Sequence, residues 1–161
     1  MDWNQIYKER LTTADEAIKV IESGNRVFMT GNVSVPQKLL TALVKRAPKL
    51  KNVELCQALT AGQHDIVNAG MEDHVRINTL FISANVRKAV WEGRADFTPV
   101  LLSEFPLLFK DGYLPVDVAM IHVSPPDEHG FCSLGVEVGL TKYICIGWFG
   151  KYIISFAAIF F

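Results

Sequence analysis

Hydrophobic and polar positions along the chain switch between the periodicity of helices and that of buried strands. Thr13-Ala-Asp-Glu16 has the form of a capping box, and apolar residues follow at the spacing of one helix face as far as Ile21. Ser23-Gly24 is a typical helix stop, and Arg26-Val-Phe-Met29 reads as a short apolar strand. The chain therefore opens with a helix followed by a strand.

The same alternation continues for another hundred residues. The pattern predicts a helix from Pro36 to Ala47, a strand at Val53 to Leu55, a short helix at Gly62 to Gly70, a strand at Ile77 to Ile82, a helix at Ala84 to Glu92, a strand at Phe97 to Leu101, a helix at Glu104 to Lys110 and a strand at Val116 to Val123. Strands that alternate with helices favour a mostly parallel sheet with helices on both faces. We predict an α/β fold.

The last part of the chain breaks this pattern. From Tyr143 to Phe161 the sequence is almost entirely apolar and rich in aromatic residues, and Lys151 is its one charge. Lys151, Gly147 and Gly150 leave an unbroken apolar run that is too short to cross a bilayer, so we expect no membrane span. Its high β-propensity and low charge are typical of an aggregation-prone segment, and we interpret it as a tail foreign to the fold.

Composition excludes several classes of protein. The chain has 161 residues, half of them hydrophobic, which suits one globular domain. With 16 basic and 17 acidic side chains, it has no positive excess for binding nucleic acid. Three cysteines without a CxxC pair favour reduced thiols over a disulfide framework or a zinc site. The first residues contain no apolar signal region, which predicts a cytoplasmic protein.

Two loops that follow predicted strands are candidate ligand sites, because parallel sheets bind ligands at the carboxyl ends of their strands. In the first loop, Thr30 to Pro36, Gly31 permits close approach of a ligand to the backbone, and amides that precede a helix suit a phosphate or an oxyanion. In the second loop, Leu59 to Gly62, Thr60 can donate a hydrogen bond from its hydroxyl to a ligand. Ordinary strand-to-helix turns explain both loops better than a ligand site does, since no GxGxxG or GxxxxGK[ST] motif is present.

Other clusters of polar residues favour structural roles. The turn Ser124 to Gly130 contains two carboxylates and an imidazole, but its two prolines and its glycine indicate a turn in which Asp127 binds nearby amides. His64, His74 and His122 form no i, i+4 pair, so we expect no metal site. No GxSxG elbow indicates a serine hydrolase.

Two long segments resemble a known family. Phe81 to Val100 and Leu114 to Gly135 are similar to the N-terminal domain of the acetyl-CoA hydrolase/transferase family, which includes 4-hydroxybutyrate and butyryl-CoA:acetate CoA-transferases. The second segment ends in the specific string Ser124-Pro-Pro-Asp-Glu-His-Gly-Phe-Cys-Ser-Leu-Gly135. The likeness runs from about Trp3 to Thr141. It implies an incomplete CoA-transferase fold of the NagB/RpiA-like type, with a domain at 1–142 and a divergent tail at 143–161.

The resemblance also implies a reaction. Family members transfer CoA between an acyl-CoA and a carboxylate such as acetate or 4-hydroxybutyrate, or hydrolyse the thioester. In this reaction a glutamate of the second domain attacks the thioester, and the reaction then proceeds through a glutamyl-CoA intermediate. CoA thioesters are substrates, and no permanently bound cofactor is implied. Because this glutamate belongs to the second domain, the resemblance assigns no catalytic residue to the present chain.

By position, the resemblance implies that Gly31, Asn32 and Val33 face the reaction crevice and form an oxyanion loop, with Thr60 and Asn85 near the pocket. The chain departs from the family after Thr141, which suggests a truncated or frameshifted product. We therefore expect one of two situations. Either the chain pairs with a separately encoded catalytic half or forms a homo-oligomer, or it is a non-catalytic remnant that binds CoA or another anion. A module attached to membranes by its tail is a weaker alternative.

Overall fold

One sheet organises the computed structural model, which describes residues 2–62, 65–146, 152–155 and 158–160. Within these ranges its strands are β1 (Arg26–Met29), β2 (Val53–Gln57), β3 (Val75–Thr79), β4 (Asp96–Phe97), β5 (Val118–Ile121), β6 (Tyr152–Ser155) and β7 (Ala158–Phe160). Their order across the sheet is β4-β3-β2-β1-β5-β6-β7. All pairs are parallel except β6 with β7. The predicted α/β class is confirmed.

Helices cover both faces of this sheet. They are α1 (Trp3–Arg10), α2 (Ala14–Ala17), α3 (Gln37–Arg46), α4 (Ala84–Trp91), α5 (Phe105–Lys110) and α6 (Gly139–Ile146), with 3-10 turns at Ile18–Val20, Ala47–Lys49, Asp65–Val67 and Leu102–Glu104. Residues of α3 and α4 belong to the core on one face and residues of α5 and α6 to the core on the other, so the prediction of helices on both faces is confirmed. No helix within the described ranges combines the length and the apolar character needed to cross a bilayer.

Alternation along the strands separates two cores. Val27 and Met29 of β1 pack on the face covered by α3 and α4, where Leu43 is fully buried. Phe28 points to the other face, and its ring meets that of Phe109 on α5 edge-on at 5.6 Å between centroids. Successive strand residues face opposite sides of the sheet, and in the central strands residues on both sides are apolar. Both faces are therefore apolar, as in other fully covered parallel sheets.

Several predicted element boundaries are wrong. The first predicted helix is α-helical over Ala14–Ala17 and then tightens into the 3-10 turn at Ile18–Val20. The Thr13 hydroxyl accepts a hydrogen bond from the Glu16 amide at 3.2 Å, as the capping-box pattern predicts. The strand predicted from Phe97 to Leu101 ends at Phe97. Pro99 lies two residues further on, and proline cannot donate a hydrogen bond to a neighbouring strand.

The segment predicted to be a foreign tail contributes to the sheet. Helix α6 crosses the predicted boundary between residues 142 and 143, and Ile144 is buried in the α5-side core. Strand β6 pairs in parallel with β5, with Val118 opposite Tyr152. Residues 147–151, 156–157 and 161, which include Lys151 and the two glycines noted above, lie outside the described residues.

Candidate functional site

The strand order places the loop after β1 at a switch point of the sheet. From β1 the chain proceeds through β2, β3 and β4 in one direction, whereas β5 lies on the opposite side of β1. Crevices at such points, beyond the carboxyl ends of the strands, are the usual ligand sites of open α/β sheets. Gly31, Asn32 and Val33 follow β1 at this position. They form a tight turn closed by the Ser34 amide, which donates to the Gly31 carbonyl at 3.1 Å.

Asn32 joins this turn to the loop that follows β2. Its amide donates to the Leu59 carbonyl at 2.6 Å, and its own carbonyl accepts from the Ala61 amide at 3.2 Å. The resulting isolated parallel bridge between Asn32 and Thr60 brings two predicted site residues together. Asn32 has φ +50°, a left-handed conformation that asparagine adopts more readily than most residues.

Thr60 is the centre of a buried polar cluster. Its hydroxyl lies 3.1 Å from Asn85 Nδ2 and 3.2 Å from Gln57 Nε2, both of which donate to it. Ser83 Oγ lies 3.3 Å from the same hydroxyl. Asn85 Nδ2 also donates to the Gly62 carbonyl at 3.0 Å. The cluster therefore ties the loop after β2 to the start of α4, and the Thr60 side chain, 4% exposed, faces protein groups.

Two backbone amides of the turn after β1 have no acceptor within the described part of the fold. Among the described residues, neither the Gly31 N–H nor the Val33 N–H has an acceptor, whereas the Asn32 N–H is occupied by Leu59. Val33 is 76% exposed, so its side of the turn faces open space, whereas Gly31 is buried. Backbone N–H groups held in place without an internal acceptor are the usual donors of an oxyanion hole.

A cleft of about 440 Å³ opens beside Asn32 at the same edge of the sheet. Asn32 Nδ2 donates a hydrogen bond to Glu137 Oε2, and both side chains line the cleft. The other walls are mainly apolar and include Leu59, Phe81, Leu102, Phe105, Leu140 and Tyr143. The volume is in the range of small-molecule sites, and an apolar cleft with few polar groups is typical of them.

Val33 faces a different part of the surface. It lines two further clefts, of about 400 and 260 Å³, and shares both with the half-buried His122 that follows β5. The structure thus brings Asn32, Thr60 and Asn85 into one connected network beside Gly31. Val33 projects to the other side of the turn.

The Ser124 to Gly130 turn has the structural role predicted for it. Asp127 Oδ1 accepts from the His129 and Phe131 amides, each at 2.9 Å. His129 Nε2 lies 3.5 Å from Glu128 Oε1, and both side chains are exposed. His74 Nδ1 lies 2.8 Å from the Leu50 carbonyl, and His64 lies outside the described residues. Within the described ranges, no group of three metal-ligating side chains comes together.

Sequence reasoning did not single out Glu137, Gln57 or Ser83. Glu137 is one acid between two valines near the end of a glycine-rich segment, and no local motif distinguishes it from a solvated charge. Gln57 directly follows the apolar residues Leu55 and Cys56, and a polar residue at the end of an apolar strand is the signal that the sequence offers. The structure gives Gln57 0% exposure.

Comparisons with known proteins identify the family of the chain. The family model for the acetyl-CoA hydrolase/transferase N-terminal domain matches residues 1–154. The chain is 44% identical over 142 residues to the 4-hydroxybutyrate coenzyme A transferase of Clostridium kluyveri, covering 88% of this chain and 33% of that protein. It is 41% identical over 133 residues to the succinyl-CoA:acetate/propanoyl-CoA:succinate CoA transferase of Fasciola hepatica, covering 81% and 27%.

Among solved structures, RipA from Yersinia pestis superposes with a TM-score of 0.84 at 27% identity, over 96% of this chain and 38% of that one. The chain spans about a third of the length of the curated relatives it matches. The predicted resemblance is thereby confirmed, and the chain belongs to the acetyl-CoA hydrolase/transferase family, whose N-terminal domain it matches.

Proposed function

We propose that this chain is the N-terminal part of a CoA-transferase that moves CoA between an acyl-CoA and a small carboxylate such as acetate or 4-hydroxybutyrate. In this proposal the chain binds the acyl-CoA and stabilises negative charge on the thioester oxygen. The attacking glutamate, which forms the glutamyl-CoA intermediate, belongs to the second domain. That domain corresponds to the part of the relatives that this chain does not match.

The observation that carries this proposal is the pair of N–H groups without an acceptor, on Gly31 and Val33, at the switch point of the sheet. When a carboxylate attacks a thioester, negative charge develops on the carbonyl oxygen, and fixed N–H donors lower the barrier. The bridge from Asn32 to Thr60 and the contacts of Thr60 with Asn85 hold the turn in place, so these residues act as positioning groups.

Reconstitution tests the proposal directly. The full chain is mixed with the C-terminal two thirds of the Clostridium kluyveri relative, produced as a separate polypeptide, and transfer of label from acetate into acetyl-CoA is measured. We expect the chain alone to bind acetyl-CoA without turnover, and the mixture to exchange label. The C-terminal polypeptide alone is the control. Turnover by the chain alone, or its failure to bind acetyl-CoA, would overturn the proposal.

The oxyanion role has a sharper test. Replacing Val33 by its α-hydroxy acid analogue converts the Val33 amide into an ester and removes one N–H without changing the side chain. We expect exchange in the reconstituted enzyme to fall by about 10²-fold to 10³-fold, as when other oxyanion donors are removed. Val33→Ala is the matched control: it keeps the N–H, truncates the side chain, and leaves exchange within about twofold. Equal losses in both variants would contradict the role.

A hydrolase is the second outcome that this assay distinguishes, because the family description includes acetyl-CoA hydrolysis. Release of free CoA at the same rate with and without a carboxylate acceptor would indicate water as the acceptor. Exchange that depends on acetate concentration would indicate a transferase. The same reaction mixture yields both measurements.

A further inference from the structure

Glu137 has an unusual position for a carboxylate. It is half-buried, and it lines the 440 Å³ cleft together with apolar side chains of Leu59, Leu102 and Phe105. One of its oxygens, Oε2, accepts from Asn32 Nδ2. The side chain is thereby anchored to the turn that carries the Val33 amide. A ligand in the cleft meets a fixed carboxylate rather than a mobile surface charge.

The second oxygen of Glu137 is available to a ligand. No donor among the described residues reaches Oε1. Gly139 makes room for this atom, because a β-carbon at Gly139 would lie 2.9 Å from Oε1. An acceptor oxygen on an apolar wall gains from a hydroxyl donor, and it disfavours a second carboxylate through like-charge repulsion.

We infer that the cleft binds the acyl chain of the CoA thioester and that Glu137 selects among acyl chains by the chemical group at their far end. It favours a hydroxyl-terminated or methyl-terminated chain over a carboxylate-terminated one. This inference rests on the proposed function, because it assumes that the thioester carbonyl lies at the turn after β1. It also takes the acyl chain to run from the turn into the cleft, because Asn32, which lies between Gly31 and Val33 in the turn, lines the cleft beside Glu137.

Three thioesters that differ only at the fourth carbon of the acyl chain provide the test. Butyryl-CoA ends in a methyl group, 4-hydroxybutyryl-CoA in a hydroxyl and succinyl-CoA in a carboxylate. Their dissociation constants for the full chain are measured by calorimetry. We expect 4-hydroxybutyryl-CoA to bind at least as tightly as butyryl-CoA and succinyl-CoA to bind about tenfold more weakly, a factor of ten corresponding to about 1.4 kcal/mol.

Glu137→Gln removes the charge and keeps an oxygen that can accept from Asn32. We expect it to strengthen succinyl-CoA binding by about tenfold and to leave butyryl-CoA within about twofold. Glu128→Gln is the matched control: it makes the same change in net charge on a side chain that is 84% exposed and lines none of the cleft. Gly139→Ala displaces Glu137 Oε1 without altering the charge. We expect it to weaken the binding of 4-hydroxybutyryl-CoA relative to that of butyryl-CoA.

The outcomes separate the two proposals. If none of the three thioesters binds the folded chain, the proposed function fails and this inference fails with it. If all three bind and Glu137→Gln leaves their ratios unchanged, the inference alone is overturned. An equal shift in Glu128→Gln would show that net charge, rather than the cleft, sets the preference, and it would also overturn the inference. Thermal melts verify that each variant is folded.

Discussion

Gly31 and Leu59 approach each other so closely that a β-carbon at Gly31 would lie 2.4 Å from the Leu59 carbonyl oxygen. That carbonyl is also the acceptor for the Asn32 amide, so any side chain at Gly31 pushes apart the two loops of the candidate site. The contact is with backbone, which cannot rotate away as a side chain can. The glycine is therefore required by the close approach of two chain segments.

We predict that Gly31→Ala destabilises the chain by about 1–3 kcal/mol, as overpacking does, and abolishes acetyl-CoA binding. Urea denaturation and calorimetry measure the two effects. Gly70→Ala is the control: Gly70 has φ +90° and no atom near its missing β-carbon, so alanine there costs about 1–2 kcal/mol of backbone strain but leaves binding intact. Normal acetyl-CoA binding by Gly31→Ala would contradict the prediction.

Thr60 gives a second prediction, for stability. Thr60→Val keeps the shape of the side chain but removes the hydroxyl that accepts from Gln57 Nε2 and Asn85 Nδ2. Because Gln57 has 0% exposure, its amide then has no water to replace the lost partner, and we expect a loss of about 1–3 kcal/mol in the free energy of unfolding.

Thr60→Ser is the matched variant, since it keeps the hydroxyl and removes the methyl group. We expect it to be more stable than Thr60→Val in the same urea titration. If Thr60→Val unfolds at the same urea concentration as the native chain and only Thr60→Ser is destabilised, packing of the methyl group rather than the polar cluster is what Thr60 contributes.

The sheet was predictable because its strands are buried on both faces. Segments such as Arg26–Met29 can be recognised without knowledge of their neighbours in the sheet, since a short apolar run between turn residues marks them. Helix α1 was missed because Trp3–Arg10 has no buried residue and follows no apolar stripe. Its start depends on Asp2, whose carboxylate accepts from the Gln5 amide at 3.0 Å. The pairing of β6 with β5 was not predicted, because it joins residues that are far apart in the sequence.

The site was predictable only in part. Gly31 to Val33 follow a parallel strand, and loops in this position commonly bind ligands. This prediction needs only the position of the strand in the sequence. The contact between Asn32 and Glu137 joins residues 105 positions apart, so no spacing rule reveals it. The Asn32 N–H donates to the Leu59 carbonyl, whereas the Gly31 and Val33 N–H groups have no acceptor among the described residues. This difference depends on the bridge between the two loops, which the sequence does not reveal.

The ion pair between β3 and β4 predicts a pH dependence. Arg76 Nε donates to Asp96 at 2.6 Å, and this hydrogen bond holds the pKa of Asp96 below its ordinary value of 3.8. A depressed carboxyl pKa contributes stability above the ordinary value, and this contribution is lost as the pH falls through the lower folded-state pKa. Asp96 is 53% exposed, so solvent screening keeps the effect below about 1 kcal/mol.

We therefore expect Asp96→Asn to be slightly less stable than the native chain at neutral pH and equal to it in strong acid. Urea titrations across this pH range measure the difference. Asp111→Asn, at an exposed carboxyl group after α5, is the control for loss of one negative charge. A difference that stays constant down to strong acid would show that the ion pair does not carry it.

Cys56 gives the last prediction, for thiol reactivity. It is fully buried in β2, and burial, with a smaller contribution from Glu54, raises its pKa to about 12. Thiolates rather than thiols react with alkylating agents, so neither charge state nor access favours reaction at Cys56 in the folded chain. Burial also raises the pKa of Cys132 and of Cys145, but both are partly exposed.

We expect iodoacetamide at about pH 8 to label Cys132 and Cys145 slowly and to leave Cys56 unmodified until the chain is unfolded. Peptide mass spectrometry at successive times gives the rate at each site, and the same reaction in urea gives the reference rate for exposed thiols. Since Cys56 lies in the central β2 strand, its labelling rate reports opening of the sheet itself. Labelling of Cys56 as fast as Cys132 in the native chain would mean that β2 is not held between its neighbours as the structure describes.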